Sequence, residues 1–234
     1  MSIYHYPIIQ SWIPVLPKIP YRNGIGQYEG VVLHFTDNYN DNADIEREWE
    51  TKTWRSAFVH EFIDPKQILQ IANPDYKCWG AGRIANERFI SIELCHSDNQ
   101  EEFNDSYDMY CERAAEYLFK NKLQVVPAKS DGTGTIWSHH DVSTYLGGTD
   151  HQDPIAYLFK FGKTWQNVID TVSFYYSLLE QENKTTQQIV NILVSDGNTK
   201  SPEYWLKRLT QGNMVDGGYT LSLLNRIFKD RKIQ

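Results

Sequence analysis

Glu29-Gly30-Val31-Val32-Leu33-His34-Phe35-Thr36 is the stretch from which the fold can be read. It is a short apolar, β-branched run, opened by a glycine and followed by the turn-prone pair Asp37-Asn38. A run this short, without polar alternation, is what a strand buried on both faces looks like. It carries one oddity, a histidine near its C-terminal end. Working outward, residues 57–64 (stopped by Pro65), 67–72, 89–95 and 135–138 also read as strands. Helical patterns interleave with them. Residues 44–54 form a short one, with Asn42 or Asp44 as its cap. A longer helix is expected from Asp105 or Ser106 to about Leu123, with Tyr107, Cys111, Ala114 and Leu118 on one face. Pro154 suits the first turn of a further helix, and another is expected over residues 164–179. The first 28 residues, rich in Pro, Tyr and Gly, read as an extended arm. The alternation predicts an α/β fold, a central mixed, mostly buried β-sheet flanked by helices.

The polar run 180–186 reads as a linker. It divides the 234 residues into a domain over 1–180 and a small all-α unit over 181–234. Residues 187–194, 201–206 and 220–229 carry the helical patterns of that unit. Charge splits at the same place. The whole chain is −7, but residues 181–234 hold eight Lys and Arg against five Asp and Glu, a surplus of +3. An acidic total argues against a nucleic-acid partner. A hydrophobic content of 41% excludes a mainly disordered chain. No stretch is long and apolar enough for a membrane span, and the prolines of the first 20 residues break any signal-peptide pattern. The expectation is a chain made in the cytoplasm without a signal peptide, with no membrane partner. Cys78, Cys95 and Cys111 are odd in number and far apart, which argues against a disulfide framework or a cysteine metal motif.

Chemistry concentrates in Ser138-His139-His140-Asp141-Val142-Ser143 and Gly147-Gly148-Thr149-Asp150-His151-Gln152-Asp153-Pro154. Three His and three Asp fall within residues 138–153, at a strand end and in the loop after it. Glu93 is a second outlier, in the middle of an apolar strand where a carboxylate is costly unless paired or bound to metal. Catalytic zinc takes three ligands from His, Asp or Glu and keeps a position open for water. His34, one of His139 and His140, and Asp153 could supply that set. The spacing contains no short-range metal motif. Core histidines bonded to backbone, with Asp141 and Asp150 as loop caps, would leave the same pattern.

Four pieces in order carry a resemblance: residues 31–36; Phe58 to Asp64 with Trp79-Gly80-Ala81-Gly82; residues 90–94; and the two histidine-rich segments. Over residues 25–165 the chain resembles the zinc-dependent N-acetylmuramoyl-L-alanine amidases of type 2. They share the peptidoglycan recognition protein fold and include many phage endolysins. The resemblance implies one Zn2+ ion held by His34, His139 and Asp153, with His140 and Asp150 as the discarded neighbours. It implies Glu93 as the catalytic general base. Many members carry Lys two residues before the third ligand, where this chain has His151, which would take over oxyanion stabilisation. His60, Trp79 and Tyr39 are expected to contact substrate. The implied partner is bacterial peptidoglycan, cut between N-acetylmuramic acid and L-alanine after release of the enzyme to the wall. The basic residues of 181–234 would meet an anionic wall polymer. A non-catalytic peptidoglycan-binding module and a zinc peptidase acting within the stem peptide are the competing readings.

Overall fold

The computed structural model describes residue 6 and residues 8–195. Six strands form one sheet: β1 (Ile8–Gln10), β2 (Gly30–Phe35), β3 (Glu61–Asp64), β4 (Gln67–Gln70), β5 (Phe89–Leu94) and β6 (Ile136–Ser138). Their spatial order is β1-β4-β3-β5-β2-β6. β3 and β4 pair antiparallel as a hairpin, and every other neighbouring pair is parallel. The sheet is therefore mixed, as expected. The helices are α1 (Ala43–Thr53), α2 (Arg83–Asn86), α3 (Gln100–Lys120), α4 (His139–Asp141), α5 (Ile155–Lys160) and α6 (Trp165–Ser195).

β2 is buried on both faces because each face has a cover. Alternate residues of a strand point to opposite sides. One side packs against α3, whose Tyr110, Ala114 and Leu118 are fully buried. On the other side Val32 joins Phe89 and Trp137, together with Ala81, Ala85 and Val142. The Phe89 and Trp137 rings stack at 5.3 Å. Each such side chain contributes about 1.5–3 kcal/mol by leaving water. His34 follows Val32 by two residues, so it emerges on this second face. Gly30 has no alternative at its position: a Cβ there would lie 2.3 Å from the carbonyl oxygen of Thr135.

Several boundaries differ from the sequence reading. β3 and β4 are shorter than 57–64 and 67–72. α3 begins five residues before Asp105, because Asn99 accepts from the N–H groups of Glu101 and Glu102 and caps it. Ser106 is not a cap; its hydroxyl donates to the Glu102 carbonyl inside the helix. The arm contains β1, which adds an edge strand beside β4. The linker expected at 180–186 is instead part of α6. Glu, Gln and Lys are good helix formers, and neither Gly nor Pro interrupts the chain there. The chain divides into two compact units, residues 1–178 and 179–234. The helical patterns at 201–206 and 220–229 lie outside the described residues, and 187–194 falls within α6. Among the described residues no helix is long and apolar enough to cross a membrane.

Candidate metal centre and cleft

The parallel register sets the site. His34 of β2 pairs with Glu93 of β5, and Leu33 pairs with Ser138, the last residue of β6. These three mutually parallel strands thus end together, and ligands commonly bind outside the carboxyl ends of parallel strands. β6 then turns directly into α4 through a capping box. Ser138 Oγ accepts the Asp141 N–H at 2.9 Å, and Asp141 Oδ2 accepts the Ser138 N–H at 3.0 Å. This gives Asp141 a structural task and fixes His139 as the first helical residue. The chain returns through Gly147 and Gly148, both at positive φ. Gly82 backs this return at φ +86, where a Cβ would sit 3.1 Å from the Gly148 carbonyl oxygen.

The returning segment delivers Asp153. Its carboxylate Oδ2 accepts the Phe35 N–H at 3.1 Å, and its carbonyl accepts the His140 N–H at 3.0 Å. Three atoms that could bind a metal ion then converge. His34 Nδ1 is 2.9 Å from His139 Nδ1, His139 Nδ1 is 3.1 Å from Asp153 Oδ1, and His34 Nδ1 is 3.6 Å from Asp153 Oδ2. For tetrahedral zinc at 2.0–2.1 Å from each ligand, the ligand–ligand edge is about 3.3 Å. The observed edges bracket that value. His34 and His139 are buried and Asp153 is half-buried.

Electrostatics suit the same donor set. Burial, and then the neighbouring His139, lowers His34 to about 4, so its imidazole is neutral with a lone pair to give. Burial pushes the Asp153 carboxyl up, but hydrogen bonds and charge from His139 and His34 overrule it and hold it well below the usual carboxylate range. Glu93 goes the other way. Burial, and then Asp153, raises it well above the ordinary glutamate value. Its Oε1 lies 4.0 Å from His34 Nδ1, and its Oε2 is buried with no hydrogen-bond partner among the described residues.

His139, Asp153 and Glu93 line a cleft of about 680 Å³, while His34 is buried and does not reach its surface. His151 is at its mouth, 63% exposed, with Nδ1 3.5 Å from Asp153 Oδ1 and its ring stacked on His139 at 4.6 Å. Tyr39 lines the cleft with an exposed ring, and Asp150 lines it without joining the cluster. His140 turns aside to Gln152, its Nδ1 2.6 Å from Oε1.

His60 and Trp79 do not line the cleft. His60 is fully buried; its Nδ1 accepts the Ser91 N–H at 3.0 Å, and its Nε2 meets the Tyr21 hydroxyl at 3.0 Å and the Tyr76 carbonyl at 2.9 Å. A ring held from both ends inside the core is not available to substrate. Trp79 packs edge-on against Phe58 at 4.4 Å and donates Nε1–H to the Trp54 carbonyl at 2.9 Å. Its neighbour Gly80 lines the cleft instead.

Two supporting groups had escaped the sequence. Tyr110 of α3 donates its hydroxyl to the His34 carbonyl at 2.7 Å, though its spacing reads as ordinary core. Thr149 Oγ1 lies 3.1 Å from His139 Nε2, across a loop whose shape no local pattern announces.

Comparison with known proteins gives the family. Residues 25–156 match the family described as N-acetylmuramoyl-L-alanine amidase. Protein Ami of Listeria monocytogenes is 41% identical over 164 residues, covering 70% of this chain and 18% of its own length. The bifunctional autolysin of Staphylococcus epidermidis is 38% identical over 165 residues, covering 70% of this chain and 12% of its own. The chain thus spans less than a fifth of the length of these curated relatives. Among solved structures, the Staphylococcus aureus hydrolase AmiA in complex with its ligand superposes with a TM-score of 0.72 at 36% identity, covering 75% of this chain and 85% of that one. PlyL, at 18% identity and a TM-score of 0.53, shares the fold.

Proposed function

The chain belongs to the N-acetylmuramoyl-L-alanine amidase family, and from that premise we propose that it hydrolyses the amide joining N-acetylmuramic acid to L-alanine in bacterial peptidoglycan. The observation that carries this reading is the convergence of His34, His139 and Asp153 beside Glu93, with His139, Asp153 and Glu93 lining an open cleft. His34 and His139 through Nδ1, and Asp153 through its carboxylate, would hold one Zn2+ ion. When bound, the ion supplies Lewis acidity, which lowers the pKa of a water and polarises a carbonyl.

The protein groups do the rest. Glu93 takes a proton from the attacking water as its oxygen bonds to the lactyl carbonyl carbon. The carbon–nitrogen bond then breaks, and Glu93 passes that proton to the departing L-alanine nitrogen. A carboxyl raised by burial is suited to both halves of this transfer. His151, exposed at the mouth, donates a hydrogen bond to the developing oxyanion. The surrounding walls orient the glycan and the stem peptide, with Tyr39 as an exposed ring for stacking.

The metal assignment is tested by metal content. The wild-type chain is expected to hold one zinc, and Asp153→Ala to lose it. Stoichiometric zinc in Asp153→Ala would move the third ligand, with Asp150 the first candidate. The domain over 1–180 is assigned the catalysis, and the basic residues of 181–234 are assigned wall attachment through an anionic polymer. Wall binding should then weaken steeply with added salt; binding indifferent to salt removes the charge-based attachment.

A further inference from the structure

We propose that Thr149 is the positioning residue that prepares His139 for the metal and sets His151 beside it. This rests on the zinc reading above. His139 has two ring nitrogens with different tasks. Its Nδ1 is one corner of the ligand triangle, so it must offer a lone pair there. The ring proton then belongs on Nε2. Asp153 works against that arrangement: its Oδ1, 3.1 Å from Nδ1, would hold a proton on Nδ1 if nothing claimed it at the other end.

Thr149 makes the competing claim. Its Oγ1 lies 3.1 Å from His139 Nε2 and accepts the Nε2–H. That fixes both the tautomer and the ring's rotation, the task that an outer partner performs for a metal-binding histidine. The same oxygen accepts the His151 N–H at 3.4 Å. One hydroxyl therefore anchors a ligand and the backbone of the residue whose ring stacks on that ligand. His34 has no equivalent. Its Nε2 is buried without a hydrogen-bond partner among the described residues, so the tautomer of that ring is not held from behind. The preorganisation of the centre falls on the His139 side, and Thr149 supplies it.

Three variants test this. Thr149→Val replaces the hydroxyl with a methyl group of the same shape. Thr149→Ser keeps the oxygen. The probe is zinc alone, titrated against a competing chelator, with no substrate present. Thr149→Val is expected to weaken zinc binding roughly 10–100-fold, the usual effect of losing an outer partner. Thr149→Ser should stay within about 3-fold of wild type. Thr144→Val, which removes a neighbouring loop hydroxyl that donates to the His140 carbonyl, should leave zinc affinity unchanged. A spectroscopic readout accompanies it: the zinc-loaded wild-type and Thr149→Ser chains should show a slowly exchanging His139 Nε2 proton by NMR, absent in Thr149→Val. Wild-type affinity in Thr149→Val, or equal losses in Thr149→Ser and Thr149→Val, would overturn the inference. A wild-type chain that takes up no zinc sinks the metal reading itself. Normal wild-type uptake with an unmoved Thr149→Val constant sinks only the role of Thr149.

Discussion

Glu93→Ala is expected to lower peptidoglycan hydrolysis by about 10²–10⁴-fold while the chain keeps its zinc, as befits loss of a general base. The separation of the two effects follows from where Glu93 sits. It is no corner of the ligand triangle: its nearest oxygen is 4.0 Å from His34 Nδ1, against edges of 2.9–3.6 Å within the triangle. Its Oε2 is buried and has no hydrogen-bond partner among the described residues, so removing the side chain breaks no hydrogen bond seen there. Folding should therefore survive, since a buried unpaired carboxyl costs stability and alanine does not. Glu93→Gln sharpens the test. It keeps the shape and the hydrogen-bonding capacity but cannot accept the proton, so it should be as inactive as Glu93→Ala. Activity near wild type in either variant, with normal zinc, takes the proton transfer away from Glu93.

Arg113→Ala is expected to cost about 3–5 kcal/mol of stability, the usual consequence of stripping one partner from a buried ion pair. Glu61 is fully buried and accepts from Arg113 at both oxygens, Nε to Oε2 at 2.8 Å and Nη2 to Oε1 at 2.7 Å. Gln70 Nε2 donates to Oε1 at 2.7 Å, and the Tyr117 hydroxyl donates to the same oxygen. Burial raises the Glu61 carboxyl, but Arg113 outweighs it and leaves the group below its ordinary value. A lowered carboxyl contributes stability that is complete above the unfolded glutamate pKa and is lost as pH falls through the folded one. Arg113→Ala should remove that acid dependence along with the stability. The melting temperature should fall by roughly 6–20 °C for a chain of this size. Glu61 pairs with Ile92 in register, so it faces the side of the sheet opposite Glu93 and His34. The folded fraction should accordingly retain its zinc affinity. A melting temperature within 2 °C of wild type would contradict the account of this network.

Much of the site was legible because its parts are local. A histidine ending a short apolar run, and a glutamate inside another, stand out against their own strands. The choice of His139 over His140 comes from the family resemblance; the Ser138–Asp141 capping box that orients His139 is visible only in the structure. What the residues alone could not supply was the parallel register that sets His34 beside Glu93, a contact across 59 positions. His60 shows the opposite failure. A histidine beside an apolar strand reads the same whether it faces a cleft or the core. Here Tyr21, from the distant arm, closes over it. Residues 180–186 misled for a different reason. A polar, charged run without Gly or Pro is equally a linker or the exposed part of a helix, and α6 continues through it. The sequence reading starts α3 at Asp105 or Ser106, both good caps, and passes over Asn99, an equally good cap, which is the one that accepts the first free N–H groups.

The most direct test of the central claim is the chemistry of the products. Purified peptidoglycan, digested with and without a zinc chelator, should yield new amino termini that are all L-alanine, with no new reducing sugar ends. The chelator should abolish their release and added zinc should restore it. New termini elsewhere in the stem peptide, or L-alanine release indifferent to chelator, would contradict a zinc-held amidase site built on His34, His139 and Asp153.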